Sequence, residues 1–370
     1  MLKIASPGKM FLSGEWAILE LGNTGLVAAV DKKVFCEIKK EEDISVTVED
    51  FGIKDIRATF DGANIEWQNA QKDEKDILVF MKGAIETTLR YLGEFEKFHI
   101  VSWGEMSQLE VDGEKKKIGF GSSAASVVST VSSILALHGH DITKRETKNV
   151  IYKLSTIAHY FAQGKVGSAF DVAASTFGGI FIYKRFDPNW LEEAIETGRT
   201  IKNIVKDKWP GLYIEELEIP EDFILDIGWT KKSASTSAMV KQMKGFKEKH
   251  GDEYKMLYDA ISGTVKQLIS HWKQGDKQGI LDCIKKNEHY LRELSMKSDV
   301  PIETPDLRLL SEIANGCGAA GKLSGAGGGD CGISISFDKK ISEEVKEKWK
   351  KADFYIIDAT LDRKGVRLEN

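Results

Sequence analysis

Alternating hydrophobic and polar residues predict a series of β-strands in the first hundred positions of the chain. The alternation is clear at residues 27–30, 34–38, 44–48, 56–60 and 98–103, and glycine, aspartate or asparagine residues separate these segments. Period-two alternation bounded by turn residues is typical of strands with one buried face. The chain is therefore expected to begin with antiparallel sheet.

Helical spacing of apolar residues predicts helices in both halves of the chain, with further strands between them. The predicted helices cover residues 76–92, 122–138, 149–162, 236–250, 252–273, 277–295, 306–315 and 343–351. The further predicted strands lie within residues 178–183, 217–228, 331–337 and 354–360. Because both halves mix helices with antiparallel strands, the predicted fold class is α+β.

A charged connecting segment divides the chain. Residues 186–209 contain only helical fragments and end in a Trp-Pro-Gly turn, which favours a domain boundary near residue 186. The length of 370 residues is also more than one small core needs. We therefore expect one domain at residues 1–186 and a second at residues 187–370.

Composition narrows the class of partner. A net charge of -5 gives no reason to expect a nucleic-acid partner or an acidic membrane surface. No segment has the length of uninterrupted apolar sequence that a membrane span needs, and the N-terminus has no secretory signal. The four cysteines are widely scattered, as expected of reduced thiols. A cytoplasmic protein with a small-molecule ligand is the prediction.

A glycine- and serine-rich run at residues 117–125 indicates a phosphate site. It ends where a predicted helix begins, so that backbone N–H groups and the positive end of the helix dipole converge on an anion. Lys117 supplies a positive charge for a polyphosphate, and Ser122 or Ser123 offers a hydroxyl to a phosphate or to Mg²⁺. An ordinary loop-to-helix turn with a serine cap is the alternative.

Three other segments are candidates for the same site. The first is Pro7-Gly8-Lys9, which could also be a hairpin turn with a surface lysine. The second is the Gly/Ser loop at residues 164–170 that leads to Asp171, which could also be a helix-capping aspartate. The third is the glycine-dense stretch at residues 322–332, which could also be a flexible linker.

Three of these stretches, residues 7–9, 119–125 and 324–329, resemble in this order the three motifs of the GHMP superfamily, which comprises galactose, homoserine, mevalonate and phosphomevalonate kinases. Within the superfamily the likeness is greatest to phosphomevalonate kinases, on residues 14–20, 117–123, 228–236 and 324–332. The resemblance implies a ribosomal-protein-S5-like N-terminal domain that binds ATP, a ferredoxin-like C-terminal domain and a cleft between them. It also implies ATP-dependent phosphorylation of (R)-5-phosphomevalonate to 5-diphosphomevalonate, with Mg²⁺, by a monomer or a homodimer.

The resemblance also assigns residues to roles. Lys9, Asp171 and Lys117 are expected to be catalytic, with Lys9 and Asp171 acting as a pair within hydrogen-bond reach. The ATP phosphates are expected at six residues of the glycine-rich run: Lys117, Gly119, Gly121, Ser122, Ser123 and Ala124. Ser123 is also the expected metal ligand. The acceptor is expected at nine residues: Lys9, Ser168, Asp171, Thr236, Ser237, Ser324, Gly325, Ala326 and Gly327.

Some alternatives stay open. Mevalonate kinases carry a glutamate on the helix before the aspartate loop, whereas this chain has His159 there, which leaves a second metal ligand unassigned. Asp171 could accept a proton from the acceptor or orient Lys9 and the nucleophile. Lys231 and Lys232 could bind the acceptor or form a surface pair. A mevalonate kinase, another small-molecule kinase or decarboxylase of the superfamily, and a catalytically silent metabolite sensor remain alternatives, although a sensor would be expected to lose Lys9 or Asp171.

Overall fold

The computed structural model describes residues 1–106, 109–111, 114–116, 118–232 and 236–369. The strands in chain order are β1 (Leu2–Ser13), β2 (Gly25–Lys40), β3 (Ile44–Val48), β4 (Ile53–Phe60), β5 (Ile65–Trp67), β6 (Phe98–Gly104), β7 (Leu109–Val111), β8 (Glu114–Lys116), β9 (Ile180–Lys184), β10 (Tyr213–Leu217), β11 (Ile224–Trp229), β12 (Ala320–Leu323), β13 (Cys331–Ser336), β14 (Tyr355–Ile357) and β15 (Arg367–Glu369). The helices are α1 (Lys72–Ile77), α2 (Val79–Leu92), α3 (Ser122–Leu137), α4 (Arg145–Ala162), α5 (Phe170–Phe177), α6 (Pro188–Glu196), α7 (Ile201–Lys206), α8 (Thr236–Lys249), α9 (Gly251–Gln274), α10 (Lys277–Ser298), α11 (Pro305–Gly316) and α12 (Lys339–Lys351).

The strands form two main sheets. The larger has the order β10-β9-β2-β6-β3-β4-β5, and β1 pairs with β2 and with β15. Its pairs are antiparallel except for β3 with β6. The smaller sheet has the order β12-β13-β11-β14 and is antiparallel. This mixture of helices with mainly antiparallel sheet confirms the α+β prediction.

Helix α3 lies at the centre of the first half, in contact with β1, β2, α2, α4 and α5. Its apolar side chains are buried, and so are Ser129 and Ser133, whose hydroxyls donate to the backbone carbonyls of Ser126 and Thr130. Hydroxyls that bond within their own helix can be buried without an unpaired polar group. These small side chains let the neighbouring helices approach closely, which fixes where the N-terminus of α3 points.

The second half packs its helices on the smaller sheet and on one another. One buried cluster joins the two sheets through Met10, Leu12 and Trp229, and another joins α8, α9 and α10 to Trp16. Residues that follow β1 in the chain therefore pack against helices of the second half. The two halves meet at the C-terminal end of β1.

Three differences from the sequence prediction concern where strands begin and end. The segments 27–30 and 34–38 are parts of one strand, β2, and the segment 217–228 spans parts of two, β10 and β11. Residues 7–9 lie within β1, which the alternation did not reveal, so they are not a hairpin turn. All three differences arise because pairing with neighbouring strands, rather than the local pattern, decides where a strand ends.

The larger sheet does not end at residue 186. Strand β10 pairs with β9 beyond that position, and the last strand of the chain, β15, returns to pair with β1. The larger sheet thus takes strands from both sides of position 186, and the domain boundary expected there stays a prediction.

Two expectations from the composition concern membrane spans and the cysteines. No helix in the described ranges is long and apolar enough to cross a membrane. The four cysteines, all within those ranges, are free thiols, as their scattered positions predict.

Candidate active site

A cavity of about 460 Å³ lies where β1, the starts of α3, α5 and α8, and the loop after β12 meet. Most of the predicted site residues line it: Lys9, Gly119, Gly121, Ser122, Ser123, Ser168, Asp171, Thr236, Gly325 and Ala326. Lys117 and the side chain of Ser237 lie outside the described residues. Segments that are far apart in the chain are thus brought to one place.

Lys9 is held against the glycine-rich turn. The pairing of β1 with β2 shifts register between Pro7 and Gly8, which lets the strand depart from its partner just before the lysine. The Lys9 amide then donates to the Phe120 carbonyl at 2.9 Å, and the Lys9 ammonium donates to the Gly119 carbonyl. A positive charge is therefore fixed beside the start of α3.

Gly121 is the turn that starts α3, and its conformation requires glycine. Its φ of +79° lies in the left-handed region, where a Cβ is unfavourable. A Cβ there would lie 3.2 Å from Lys9 Cγ and 3.5 Å from Asp171 Cβ. Lys9 and Asp171 thus approach the same point from two distant parts of the chain.

The start of α3 presents free N–H groups to the cavity. The Ala125 amide donates to the Gly121 carbonyl at 3.1 Å, which is the first bond of the helix. The amides of Ser122, Ser123 and Ala124 precede it and have no acceptor within the helix. The Ala124 side chain is buried in the core, so any part it takes is through its amide. Such a helix start binds anions.

Asp171 lies in the first turn of α5 and lines the cavity. Its Oδ1 accepts from the Val172 amide at 2.9 Å. No hydrogen bond joins it to Lys9 among the described residues, because the Lys9 ammonium bonds to Gly119 instead. The expected pair therefore shares one cavity but is not in direct contact. A phosphoryl group placed between the two side chains would be held by Lys9 and bordered by Asp171.

The loop before α5 holds Ser168 with its hydroxyl unsatisfied. Ser168 is 1% exposed, and its Oγ has no hydrogen-bond partner within the described chain. Its carbonyl accepts from the Tyr183 hydroxyl, and the hydroxyl oxygens of Tyr183 and Tyr152 are 2.9 Å apart. Burial raises the pKa of both phenols, so they stay neutral. A buried hydroxyl without a partner at the wall of a cavity indicates a ligand oxygen.

Ser123, the expected metal ligand, contacts His159. The distance from Ser123 Oγ to His159 Nε2 is 3.1 Å, and the imidazole stacks on Phe80. Burial lowers the pKa of His159, and the nearby Asp171 charge raises it by a smaller amount, so the net shift is downward. A neutral imidazole, rather than a carboxylate, therefore lies behind this hydroxyl.

Two residues of the C-terminal glycine loop make structural contacts, and their predicted contacts with the acceptor stay predictions. The Ser324 hydroxyl donates to the Phe11 carbonyl at 3.0 Å and accepts from the Phe11 amide at 2.9 Å. A Cβ at Gly327 would lie 2.0 Å from the Ile302 carbonyl oxygen, so this glycine allows close backbone packing. The loop is tied down at both points, which corrects the flexible-linker alternative and leaves Gly325 and Ala326 to face the cavity.

The lysine pair after β11 forms surface ion pairs. The Lys231 ammonium lies 2.7 Å from Asp353 Oδ1, and the Lys232 ammonium lies 2.6 Å from Asp306 Oδ2. Neither residue is among those that line the cavity. These contacts favour the interpretation of the two lysines as a surface pair.

A buried ionic cluster, which the sequence motifs did not reveal, supports the same cavity. Glu15, at the cavity wall, pairs with the fully buried Lys322, and its Oε2 has no hydrogen-bond partner within the described chain. Glu288 accepts from the Ser311 hydroxyl at 2.9 Å and from the Leu323 amide at 3.0 Å. Burial raises the pKa of Glu15, and it raises the pKa of Glu288 to about 7. The only sequence signal was Lys322, a charged residue in an apolar strand.

A second cavity of about 440 Å³ adjoins the start of α3 and was not predicted. It shares Ser122 and Ser123 with the first cavity. Its other walls are mainly apolar and include Val48, Leu78 and Met81. No sequence pattern indicated this cavity, because its walls come from separate elements whose apolar residues look like ordinary core.

Comparison with known proteins gives consistent matches along the chain. A family model described as the GHMP kinases N terminal domain matches residues 80–179, and one described as GHMP kinases C terminal matches residues 267–355. The phosphomevalonate kinase of Streptomyces sp. strain CL190 is 29% identical over 98% of this chain and 97% of its own length. That of Saccharolobus solfataricus is 28% identical over 100% of both chains.

A solved structure shares the fold. The Streptococcus pneumoniae phosphomevalonate kinase in complex with phosphomevalonate and AMPPNP has a TM-score of 0.81 and 26% identity to this chain. The match covers 98% of this chain and 100% of that one. The likeness therefore extends over both halves and includes the region where they meet.

Proposed function

The chain belongs to the GHMP kinases, whose N- and C-terminal domain models it matches, and we propose that it transfers the γ-phosphoryl group of ATP to the phosphate of (R)-5-phosphomevalonate. The bond between the γ-phosphorus and the β,γ-bridging oxygen breaks, an acceptor phosphate oxygen bonds to that phosphorus, and ADP and 5-diphosphomevalonate leave. One observation carries the proposal: Lys9, Asp171 and the start of α3 surround one point at Gly121.

ATP is held with its phosphates at the start of α3. The free amides of residues 122–124 and the helix dipole attract the β- and γ-phosphates, and Lys9 adds charge. The adenine then lies in the second cavity, since that cavity adjoins the same two serines and is walled by apolar side chains. Lys117 is proposed to complete the phosphate site from the glycine-rich run.

The acceptor lies in the first cavity, between Lys9 and the C-terminal glycine loop. The unpaired Ser168 hydroxyl donates to it, and Thr236 at the start of α8 lines the same wall. The backbone at Gly325 and Ala326 closes the opposite side. Ser237, the next residue of α8, is proposed to assist Thr236.

Asp171 acts by orientation and charge more than as a base. The second pKa of a phosphate monoester is near 6, so that at neutral pH the attacking oxygen carries no proton that must be removed. Phosphoryl transfer needs mainly alignment and compensation of charge. The Asp171 carboxylate keeps the Lys9 ammonium and any bound cation at the point where the phosphoryl group transfers.

Mg²⁺ is part of the proposal. The described residues contain no group of three or more carboxylate, imidazole or thiol side chains that would hold a metal by themselves. Mg²⁺ is commonly held by phosphate oxygens, water and one or two protein oxygens, and Ser123 with Asp171 provides that set. The ion would offset the repulsion between the triphosphate and the acceptor dianion.

The alternative acceptor is mevalonate. His159 favours the phosphorylated acceptor, because this neutral side chain lies where mevalonate kinases carry a glutamate. A further carboxylate at that position would repel an acceptor that already bears two negative charges.

Purified protein assayed with ATP and with mevalonate, phosphomevalonate or diphosphomevalonate tests the assignment. ADP release measures turnover, and ³¹P NMR identifies the product, since a new diphosphate gives coupled resonances. Phosphomevalonate should be preferred over mevalonate by on the order of 10⁴-fold in kcat/KM, because buried donors are left unmatched when the phosphate is missing. Equal use of the two acceptors would contradict this assignment while leaving a kinase.

A further inference from the structure

A smaller basic lobe of about 180 Å³ adjoins the first cavity. The two share Leu19, Val166, Gly167 and Val240, so a ligand in the first cavity can extend into the lobe. Four cationic side chains line it: Lys165, Arg185, Lys244 and Lys247. Of these four, only Lys165 belongs to a segment that suggested the site, the Gly/Ser loop before Asp171.

The charges of the lobe are only partly neutralised. The Glu20 carboxylate also lines the lobe, and it accepts from the Lys247 ammonium and from the Tyr254 hydroxyl, both at 2.6 Å. Lys165 pairs with Glu192 outside the lobe at 2.9 Å. Arg185 also interacts electrostatically with Glu20, and Lys244 forms no ion pair among the described residues. One carboxylate therefore faces several cations, and the lobe keeps an excess of positive charge.

Two buried donors in the lobe are unsatisfied. Arg185 donates through Nη1 to the Leu19 carbonyl at 2.7 Å, which fixes the guanidinium, while its buried Nε has no hydrogen-bond partner in the described structure. The Tyr258 hydroxyl, on a side chain that is 3% exposed, lies near the Tyr254 hydroxyl, but the two do not meet hydrogen-bond distance and angle. A donor left unpaired in the interior is unfavourable, so a bound group that accepts hydrogen bonds is the simplest account of both.

We propose that the lobe binds the carboxylate of the acceptor, with Arg185 Nε and the Tyr258 hydroxyl as donors and Lys244 as a nearby charge. The inference rests on the proposed function, in which the acceptor carries a phosphate at one end and a carboxylate at the other. The phosphate must lie at Lys9 and Gly121 to react. The carboxylate then points away from the nucleotide, toward the lobe that adjoins this cavity, and a guanidinium edge suits the planar carboxylate.

Tyr258→Phe is the sharpest test, because it removes a single hydroxyl and keeps the ring that packs on Tyr254. It should raise the KM for phosphomevalonate about tenfold or more and leave the KM for ATP unchanged, since a hydrogen bond to a charged group is lost. Lys244→Gln should give a smaller rise, and Lys241→Gln, an exposed lysine of α8 outside the lobe, should give none.

An acceptor substrate that lacks the carboxylate shows whether a variant loses carboxylate binding or is impaired in activity generally. The monophosphate of 3-methylbutane-1,3-diol is phosphomevalonate without its carboxylate. Wild-type protein should use it with a raised KM, and Tyr258→Phe should raise that KM no further. An equal effect of Tyr258→Phe on both acceptors, or wild-type kinetics with phosphomevalonate, overturns the carboxylate site. A wild type that neither binds phosphomevalonate by calorimetry nor turns it over would instead refute the proposed function.

Discussion

The Gly119 amide donates to Asp330 Oδ1 at 3.1 Å, which joins the glycine-rich turn before α3 to the glycine loop before β13. A Cβ on Gly119 would lie 1.7 Å from Asp330 Oδ2, so no side chain fits there while the contact exists. Asp330 is itself fixed, since its amide donates to the Lys232 carbonyl and its carbonyl accepts from the Thr230 amide. The two loops thus position each other.

Gly119→Ala should therefore impair catalysis by displacing the turn. The Gly119 carbonyl also accepts from the Lys9 ammonium, so a shift of the turn moves the lysine as well. A displacement of about 1 Å can cost on the order of 10²-fold in rate, and we expect a fall of that size in kcat/KM for ATP. Steady-state kinetics with both substrates would measure it.

Gly263→Ala is the matched control. Gly263 lies within α9, and a Cβ there would meet no atom within 4 Å. This variant should keep full activity, and alanine should raise the free energy of unfolding by about 0.5–1 kcal/mol. Wild-type kinetics in Gly119→Ala would show that the Asp330 contact does not position the turn.

The sequence predicted the parts of the site that local chemistry marks. Gly121 and the serines after it were predictable because a helix start with glycine has a recognisable composition. Asp171 and Lys9 were found as members of ordered motifs. Ser324 and Gly327 belong to the same kind of motif, yet contact Phe11 and Ile302, because a motif records that a loop is constrained and not which of its residues face the ligand.

What the sequence did not predict depends on contacts between distant segments. Arg185 and Tyr258 are separated by 73 positions in the numbering and look like an ordinary strand-end arginine and a core tyrosine. Their common feature, an unpaired buried donor, exists only when the fold is known. The same holds for Lys322, whose partners Glu15 and Glu288 lie on other elements.

Asp171→Asn should lower turnover far more than ATP affinity. The substitution keeps the shape and the bond to the Val172 amide but removes the negative charge that borders the transferring phosphoryl group. We expect kcat to fall by on the order of 10²–10⁴-fold, with the KM for ATP changed little. The acidic limb of the pH profile should stay near pH 6, because it belongs to the acceptor phosphate.

Asp187→Asn provides the comparison for that variant. Asp187 caps α6 and accepts from the Asn189 amide, and asparagine caps helices about as well as aspartate. Activity and stability should both be close to wild type. If Asp171→Asn removes the acidic limb near pH 6, the acceptor phosphate is not its source and Asp171 acts as a base.

Ser168→Ala should separate binding from stability. Because the Ser168 hydroxyl has no partner in the described protein, its removal should leave the free energy of unfolding unchanged or slightly raised. The KM for phosphomevalonate should rise about tenfold, as one hydrogen bond to a charged group is lost. Denaturant unfolding and steady-state kinetics on the same preparation would measure the two effects.

Ser175→Ala should show the opposite pattern. The buried Ser175 hydroxyl donates to the Pro7 carbonyl at 2.8 Å, so its loss leaves that carbonyl unpaired and should destabilise the protein by about 1–2 kcal/mol. A Ser168→Ala variant that is equally destabilised, with unchanged KM, would mean that the Ser168 hydroxyl serves the fold and not the acceptor.

The buried Glu288 should make stability fall as pH rises from about 4.5 to 7. Burial raises its pKa in the folded protein to about 7 from the ordinary value of 4.5, so in this range the unfolded chain releases the proton first. The free energy of unfolding therefore decreases by at most about 3 kcal/mol across the range and levels off above it.

Glu288→Gln does not titrate and should lack this part of the decrease. Urea unfolding at pH 5, 6 and 7 should therefore show that the free energy of unfolding of the variant, relative to that of wild type, rises with pH. Glu248→Gln, on an exposed side chain of α8, should follow the wild-type pH dependence. Parallel curves for wild type and Glu288→Gln would mean that Lys322 keeps Glu288 ionised throughout the range.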